Sequence, residues 1–211
     1  MSDERGIATH RSSRSTTPTA GEVDRLLTLP NVITLIRLLC LPLFLYLLFG
    51  SDNRAAAAWL LGGLCATDWV DGYLARRLGQ VSEFGKKFDP TVDRLVFMVA
   101  IVAMLVDGAG PAWFLITVLA RELIVGGAVA IATIFYHLPR LDVAFLGKVA
   151  TALLMMAIPG FLLGDSDIAA HDFFWVASWL IGIPGLVLSL VTGAGYLAKI
   201  RGGVAALRLR A

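Results

Sequence analysis

Apolar residues run along this chain in six long stretches separated by short polar breaks. A helix needs about 20 apolar residues to cross a bilayer. Stretches 32–49, 54–75, 89–106, 113–135, 145–163 and 173–197 approach or reach that length. The breaks carry turn chemistry, with Ser51, Asp52 and Asn53 after the first stretch and Asp107-Gly108-Ala109-Gly110-Pro111 after the third. The second stretch starts apolar and ends charged, and the third does the reverse. Ahead of them, 21–30 sets Leu26, Leu27 and Leu29 against Glu22, Asp24 and Arg25, the pattern of a short interfacial helix. The expected fold is an all-α integral membrane protein with six transmembrane helices. Residues 1–20 are expected as a disordered tail, 21–200 as the membrane domain and 201–211 as a basic tail. There is no internal repeat.

Composition agrees with that pattern. Of 211 residues, 57% are hydrophobic and 16% are charged, against about 25% charged in a typical soluble domain. Mean hydropathy is +0.77. Disordered, collagen-like and ordinary water-soluble chains are excluded. Residues 1–28 contain no apolar run, so no cleaved leader is expected. Cys40 and Cys65 lie inside apolar stretches and read as small hydrophobic side chains. Nothing points to a nucleic-acid partner.

The net charge of +2 says less than its distribution. Arg5, Arg11, Arg14 and Arg25 precede the first stretch. Arg76, Arg77, Lys86 and Lys87 lie between the second and third. Arg140 and Lys148 flank the fourth break, and Lys199, Arg201, Arg208 and Arg210 end the chain. The other breaks hold Arg54 and several aspartates. The positive-inside rule then places both termini in the cytoplasm, as an even number of spans requires.

Ionisable groups within spans cost several kcal/mol, so their presence needs a reason. Asp68, Asp71, Gly72, Ala75, Arg76, Gly85, Asp89 and Asp93 form the pattern D-x2-D-G-x2-A-R-x8-G-x3-D-x3-D. On a helix Asp68, Asp71 and Ala75 share one face, and so do Asp89 and Asp93. Two helices that bring these faces together gather four carboxylates, which cannot all stay ionised without cations. Oxygen-only ligands suit Mg²⁺ or Mn²⁺, and two such ions could clamp a pyrophosphate. Gly72, Ala75 and Gly85 lack bulk, which lets a ligand approach the backbone. Arg76 offers a planar fork to phosphate.

At every position of this pattern the chain resembles the CDP-alcohol phosphatidyltransferase family. The segment Leu29-Pro30-Asn31-Val32-Ile33-Thr34-Leu35-Ile36-Arg37 is similar to the family's opening segment. The resemblance implies transfer of a phosphatidyl or related group from a CDP-linked donor to an alcohol, with release of CMP. It implies that Asp68, Asp71, Asp89 and Asp93 bind the metals and that Asp93 also acts as general base on the acceptor hydroxyl. It implies that Gly72, Arg76 and Ser82 hold the nucleotide, with Asn31 and Thr34 helping at the first turn; Asn31 also reads as a plain helix cap. Donor contacts are thus expected at Asn31, Thr34, Gly72, Ala75, Arg76, Ser82 and Gly85. The resemblance further implies a homodimer in the cell membrane, with CDP-diacylglycerol as donor.

For the acceptor, Arg121 with Lys148 could hold a phosphate, and an Arg121–Glu122 structural pair is the plainer reading. Both features are similar to phosphatidylglycerophosphate synthases, so sn-glycerol 3-phosphate is the first expectation. Such relatives usually carry a second lysine where this chain has Ala150. That departure leaves room for a cardiolipin synthase, whose acceptor is phosphatidylglycerol, and more weakly for an inositol-phosphate acceptor. A cation transporter and an inactive scaffold are readings of other classes. The first lacks repeats and midplane breaks, and the second conflicts with the four aspartates. Trp69, Tyr73, Trp113 and Trp175 read as interfacial anchors. His171 reads as a solvated loop residue. Gly126, Gly127, Gly182 and Gly185 read as close helix-packing positions.

Overall fold

The computed structural model describes residues 29–78, 85–135 and 145–208, with side chains described over 35–67, 92–133 and 145–203. The expected tail at 1–20 and the segment 21–28 lie outside the described residues. Six helices follow one another: α1 (Leu29–Leu45), α2 (Arg54–Leu78), α3 (Gly85–Asp107), α4 (Ala112–Phe135), α5 (Phe145–Gly164) and α6 (His171–Arg208). No strand occurs among the described residues. The all-helical expectation holds.

The ends of the elements follow local chemistry. A wide helical turn, Tyr46–Gly50, continues α1. Gly50 lies under the Tyr46 ring, where a Cβ would meet Cδ2 at 2.8 Å. Asn53 caps α2 by accepting from the Ala56 amide at 2.9 Å. Gly108 and Gly110 take φ of 76° and 77° between α3 and α4, a region glycine enters without a Cβ penalty. The largest departure is α6. The apolar pattern ends at Leu197, yet the helix runs to Arg208. Lys199 and Arg201 end the apolar pattern without ending the helix, since straight-chain basic residues are good helix formers.

Glycines set how α5 and α6 meet. The two helices run antiparallel, with Gly164 against Trp175, Gly160 against Ser178, Gly182 against Ala157 and Phe114, and Gly185 against Leu153. A Cβ at Gly185 would stand 2.9 Å from that of Leu153. Gly182 and Gly185 are therefore packing positions, as expected. Gly126 and Gly127 are not. A Cβ at Gly127 meets nothing within 4 Å, and Gly126 faces the Arg94 guanidinium. Phe114, Phe161, Trp175 and Trp179 pack edge to face around this seam, with centroids 5.0–5.8 Å apart. Trp175 is thus a packing residue, whereas Trp113 is exposed and stacks on Trp179. The side chains of Trp69 and Tyr73 lie outside the described residues. α1 packs on α2 and α3, α2 on α5, and α4 on α6.

The outer surface is apolar. Leu35, Leu39 and Leu43 project from α1, and Leu180, Val187 and Val191 from α6. Ala112–Thr133, Phe145–Gly164 and His171–Gly203 are long and apolar enough to cross a membrane. The first of these, 22 residues, spans about 33 Å at 1.5 Å per residue, matching a hydrocarbon core of about 30 Å. Leu35–Gly50 is a shorter apolar helix. α2 carries Asp68, Asp71, Arg76 and Arg77 in its last turns, and α3 carries Lys86, Lys87, Asp89, Asp93 and Arg94 in its first. These charges interrupt the apolar run of each helix.

The opposite end of the bundle is closed by a polar clasp. Arg54, at the start of α2, donates to the Asp107 carboxylate at 2.8 Å and to its carbonyl at 3.2 Å. It also reaches the Asp165 carbonyl at 3.3 Å. The Asp165 carboxylate accepts from the Gly110 amide. One guanidinium so ties the start of α2 to the end of α3 and to the α5–α6 turn. His171 is exposed, as expected, but it opens α6 beside Asp172 instead of lying in a loop.

Candidate active site

The charged half of the bundle is organised around Asp93. It lies two turns into α3, and its carboxylate accepts from the guanidinium of Arg37 on α1. Arg37 is buried, so its charge needs an anion, and Asp93 supplies one. This pair joins α1 to α3 across 56 residues of chain.

Asp93 also forms one wall of a cavity of about 430 Å³ between α3, α4, α5 and α6. Arg94, Arg121, Glu122, Lys148 and Tyr196 line it with Asp93. Phe97, Val125, Val129 and Met155 supply apolar lining. The structure therefore brings Asp93, Arg121 and Lys148 to one space, although they come from three helices. Formal charges on the lining are three cations against two carboxylates, Asp93 and Glu122.

Besides Asp93, which pairs with Arg37, two of those charges are engaged. Arg121 donates to the Glu122 carboxylate and, through Nε, to the Ser189 carbonyl at 3.2 Å. Adjacent helical positions point about 100° apart, yet the long arginine stem brings the two groups together. Gly193 on α6 lies beside it, where a Cβ would stand 3.0 Å from Val125 Cγ2 and in ordinary contact with Arg121 Nε at 3.5 Å. The structural pairing of Arg121 with Glu122 is thus present inside the cavity. Lys148 is exposed at the start of α5, and Thr151, one turn on, bonds back to the Gly147 carbonyl at 3.0 Å.

The remaining pattern residues are placed by backbone alone. Asn31 and Thr34 fall in the first turns of α1. Asp68, Asp71, Gly72, Ala75 and Arg76 fall in the last turns of α2, where unbroken helix keeps the i, i+3, i+7 register. Gly85 and Asp89 fall in the first turns of α3, with Asp89 four residues after Gly85 and four before Asp93. The side chains of these positions, and all of Ser82, lie outside the described residues. Among the described residues no three His, Cys, Asp or Glu side chains group to hold a metal. The donor chemistry of the full aspartate set, oxygen only, fits a hard divalent cation.

Comparison with known proteins decides the family. A family model described as CDP-alcohol phosphatidyltransferase matches residues 27–191. The chain belongs to that family. This CDP-alcohol phosphatidyltransferase is 35% identical over 188 residues to a cardiolipin synthase (CMP-forming) of Streptomyces coelicolor, covering 85% of this chain and 86% of the relative. It is 30% identical over 202 residues to a probable phosphatidylglycerophosphate synthase of Mycobacterium tuberculosis, covering 92% and 93%. It is 29% identical over 187 residues to a CDP-diacylglycerol–glycerol-3-phosphate 3-phosphatidyltransferase of Bacillus subtilis, covering 81% and 94%. It is an enzyme of phospholipid synthesis, taking a CDP-alcohol and an alcohol acceptor. An enzyme replaces the transporter reading. The relatives carry both synthase names, so similarity alone leaves the acceptor open.

Sequence reasoning missed Arg37 and Arg94 as parts of this site. Both are charges within helices that pass through apolar surroundings. The cost argument that flagged Arg121 applies equally to them.

Proposed function

We propose that this phosphatidyltransferase uses CDP-diacylglycerol as donor and phosphatidylglycerol as acceptor, forming cardiolipin and releasing CMP. The carrying observation is the cavity beside Asp93, which combines cations with apolar walls. Phosphatidylglycerol presents a singly charged phosphodiester, a free hydroxyl and an apolar body. The apolar walls, from Phe97, Val125, Val129 and Met155, suit an acceptor with an acyl body, which glycerol 3-phosphate lacks. Ala150, which replaces the second lysine of glycerol 3-phosphate-type relatives, is buried and adds no further cation to the cavity, in keeping with the same reading. The likeness to the Streptomyces enzyme over most of both chains supports it too.

In this reading Asp93 takes the proton from the acceptor hydroxyl as its oxygen attacks the β-phosphorus. The bond from that phosphorus to the bridging oxygen breaks, and CMP leaves with the electron pair. Two Mg²⁺ or Mn²⁺ ions held by Asp68, Asp71, Asp89 and Asp93 would supply positive charge against the pyrophosphate. Asn31, Thr34, Gly72, Ala75, Arg76, Ser82 and Gly85 contact the donor. All six helices cross the cell membrane, both termini face the cytoplasm, and the site opens there. The molecule works as a homodimer.

A second reading takes sn-glycerol 3-phosphate as acceptor, favoured by two lining cations, Arg94 and Lys148, that make no ion pair among the described residues. Purified protein in vesicles of CDP-diacylglycerol and phosphatidylglycerol, with Mg²⁺, separates the readings. Cardiolipin and CMP in equal amounts are expected. Phosphatidylglycerophosphate formed only when glycerol 3-phosphate is added would move the assignment to the second reading. Neither product would overturn both.

A further inference from the structure

We propose that the acceptor phosphate is held by Arg94 and Lys148, and that Arg121 is a positioning residue. The inference rests on the acceptor cavity proposed above, for either acceptor. Three cations line that cavity, but they differ in what already binds them. Arg121 is spent on Glu122 and the Ser189 carbonyl, and its side chain is only 11% exposed. An incoming phosphate would have to displace a buried carboxylate to use it, which leaves Glu122 without a counter-charge. Among the described residues neither Arg94 nor Lys148 makes an ion pair, and both are exposed.

Position selects Arg94 further. It follows Asp93 directly in α3, so a phosphate on its guanidinium lies beside the carboxylate that takes the acceptor proton. Gly126 on α4 faces it. A Cβ there would be in ordinary contact with an Arg94 terminal nitrogen at 3.7 Å, so the guanidinium lies over the glycine at the cavity's edge. Arg94 lies on α3 and Lys148 on α5, so the pair closes on a phosphate from two helices. Arginine contributes a planar fork and lysine a point charge. Monoester and diester phosphates share this chemistry.

The test is steady-state kinetics on purified Arg94→Ala and Arg94→Lys proteins, with phosphatidylglycerol and glycerol 3-phosphate as separate acceptor arms. Arg94 is exposed, so neither variant disturbs the packed core. Arg94→Ala is expected to raise KM for the acceptor that the parent protein uses by roughly ten- to a hundredfold. KM for CDP-diacylglycerol stays unchanged, and Arg94→Lys recovers part of the loss. An unchanged acceptor KM, or a rise confined to CDP-diacylglycerol, would overturn the proposal. Failure of the parent protein with both acceptors would instead overturn the reaction assignment, which keeps the two failures distinct.

Discussion

The two ends of the helical bundle use charge in opposite ways. At the Arg54 end, the guanidinium is satisfied by the Asp107 carboxylate and two carbonyls, and Asp165 in turn takes the Gly110 amide. At the Asp93 end, two pairs are made, Arg37 with Asp93 and Arg121 with Glu122, while Arg94 and Lys148 face an open cavity. The closed network joins helices and leaves no cation unpaired: the space of about 510 Å³ beside it is lined by Asp52, Asp165 and Asp167 with the engaged Arg54, which does not suit an anionic substrate. An open one keeps cations available at the cost of local repulsion. The difference supports the Asp93 end as the proposed substrate-binding end, independently of any motif.

Substitutions at each end should therefore fail differently. The largest effect belongs to Asp93→Asn. Turnover should fall by about 10²- to 10⁴-fold through loss of the proton acceptor, with helix content in detergent unchanged by circular dichroism. Near-normal turnover would remove Asp93 from the base role. Arg121→Ala should act mainly on stability, since it strands Glu122 in the interior. A loss of about 3 kcal/mol is expected, read as a lowered unfolding midpoint in detergent and partly restored by adding Glu122→Gln. A large rise in acceptor KM without loss of stability would return Arg121 to phosphate binding.

Arg54→Ala sharpens the comparison from the other end. Loss of its three hydrogen bonds should lower stability by about 1–3 kcal/mol, while turnover of the folded fraction stays at the parent level. The smallest effect is expected for Gly127→Ala. Open space surrounds that position, and alanine is the better helix former by about 1 kcal/mol. Stability should rise by no more than that, with activity unchanged.

How much of this was legible in the sequence follows from the range of each interaction. The helix starts of α2 and α4 fall within one residue of the apolar pattern, because Asn53 and Pro111, with the glycines before it, act locally. The end of α6 was missed, because a charged residue stops an apolar pattern without stopping a helix. The eight-residue aspartate pattern was readable because helix register converts spacing into a shared face. Arg37 with Asp93, Arg54 with Asp107 and Asp165, and Arg121 with Ser189 were not readable. Each joins residues more than 50 positions apart, and only the packing of the helices brings them together. Gly126 was taken for a packing glycine for the same reason. Its role depends on which side chain faces it.

The most direct test of the account is a structure determined with CDP-diacylglycerol, Mg²⁺ and phosphatidylglycerol bound to the Asp93→Asn protein. The account predicts the acceptor phosphate between Arg94 and Lys148, with the acceptor hydroxyl turned toward residue 93 and the Arg54 clasp unchanged. An acceptor phosphate seated on Arg121, or lying outside this cavity, would contradict it.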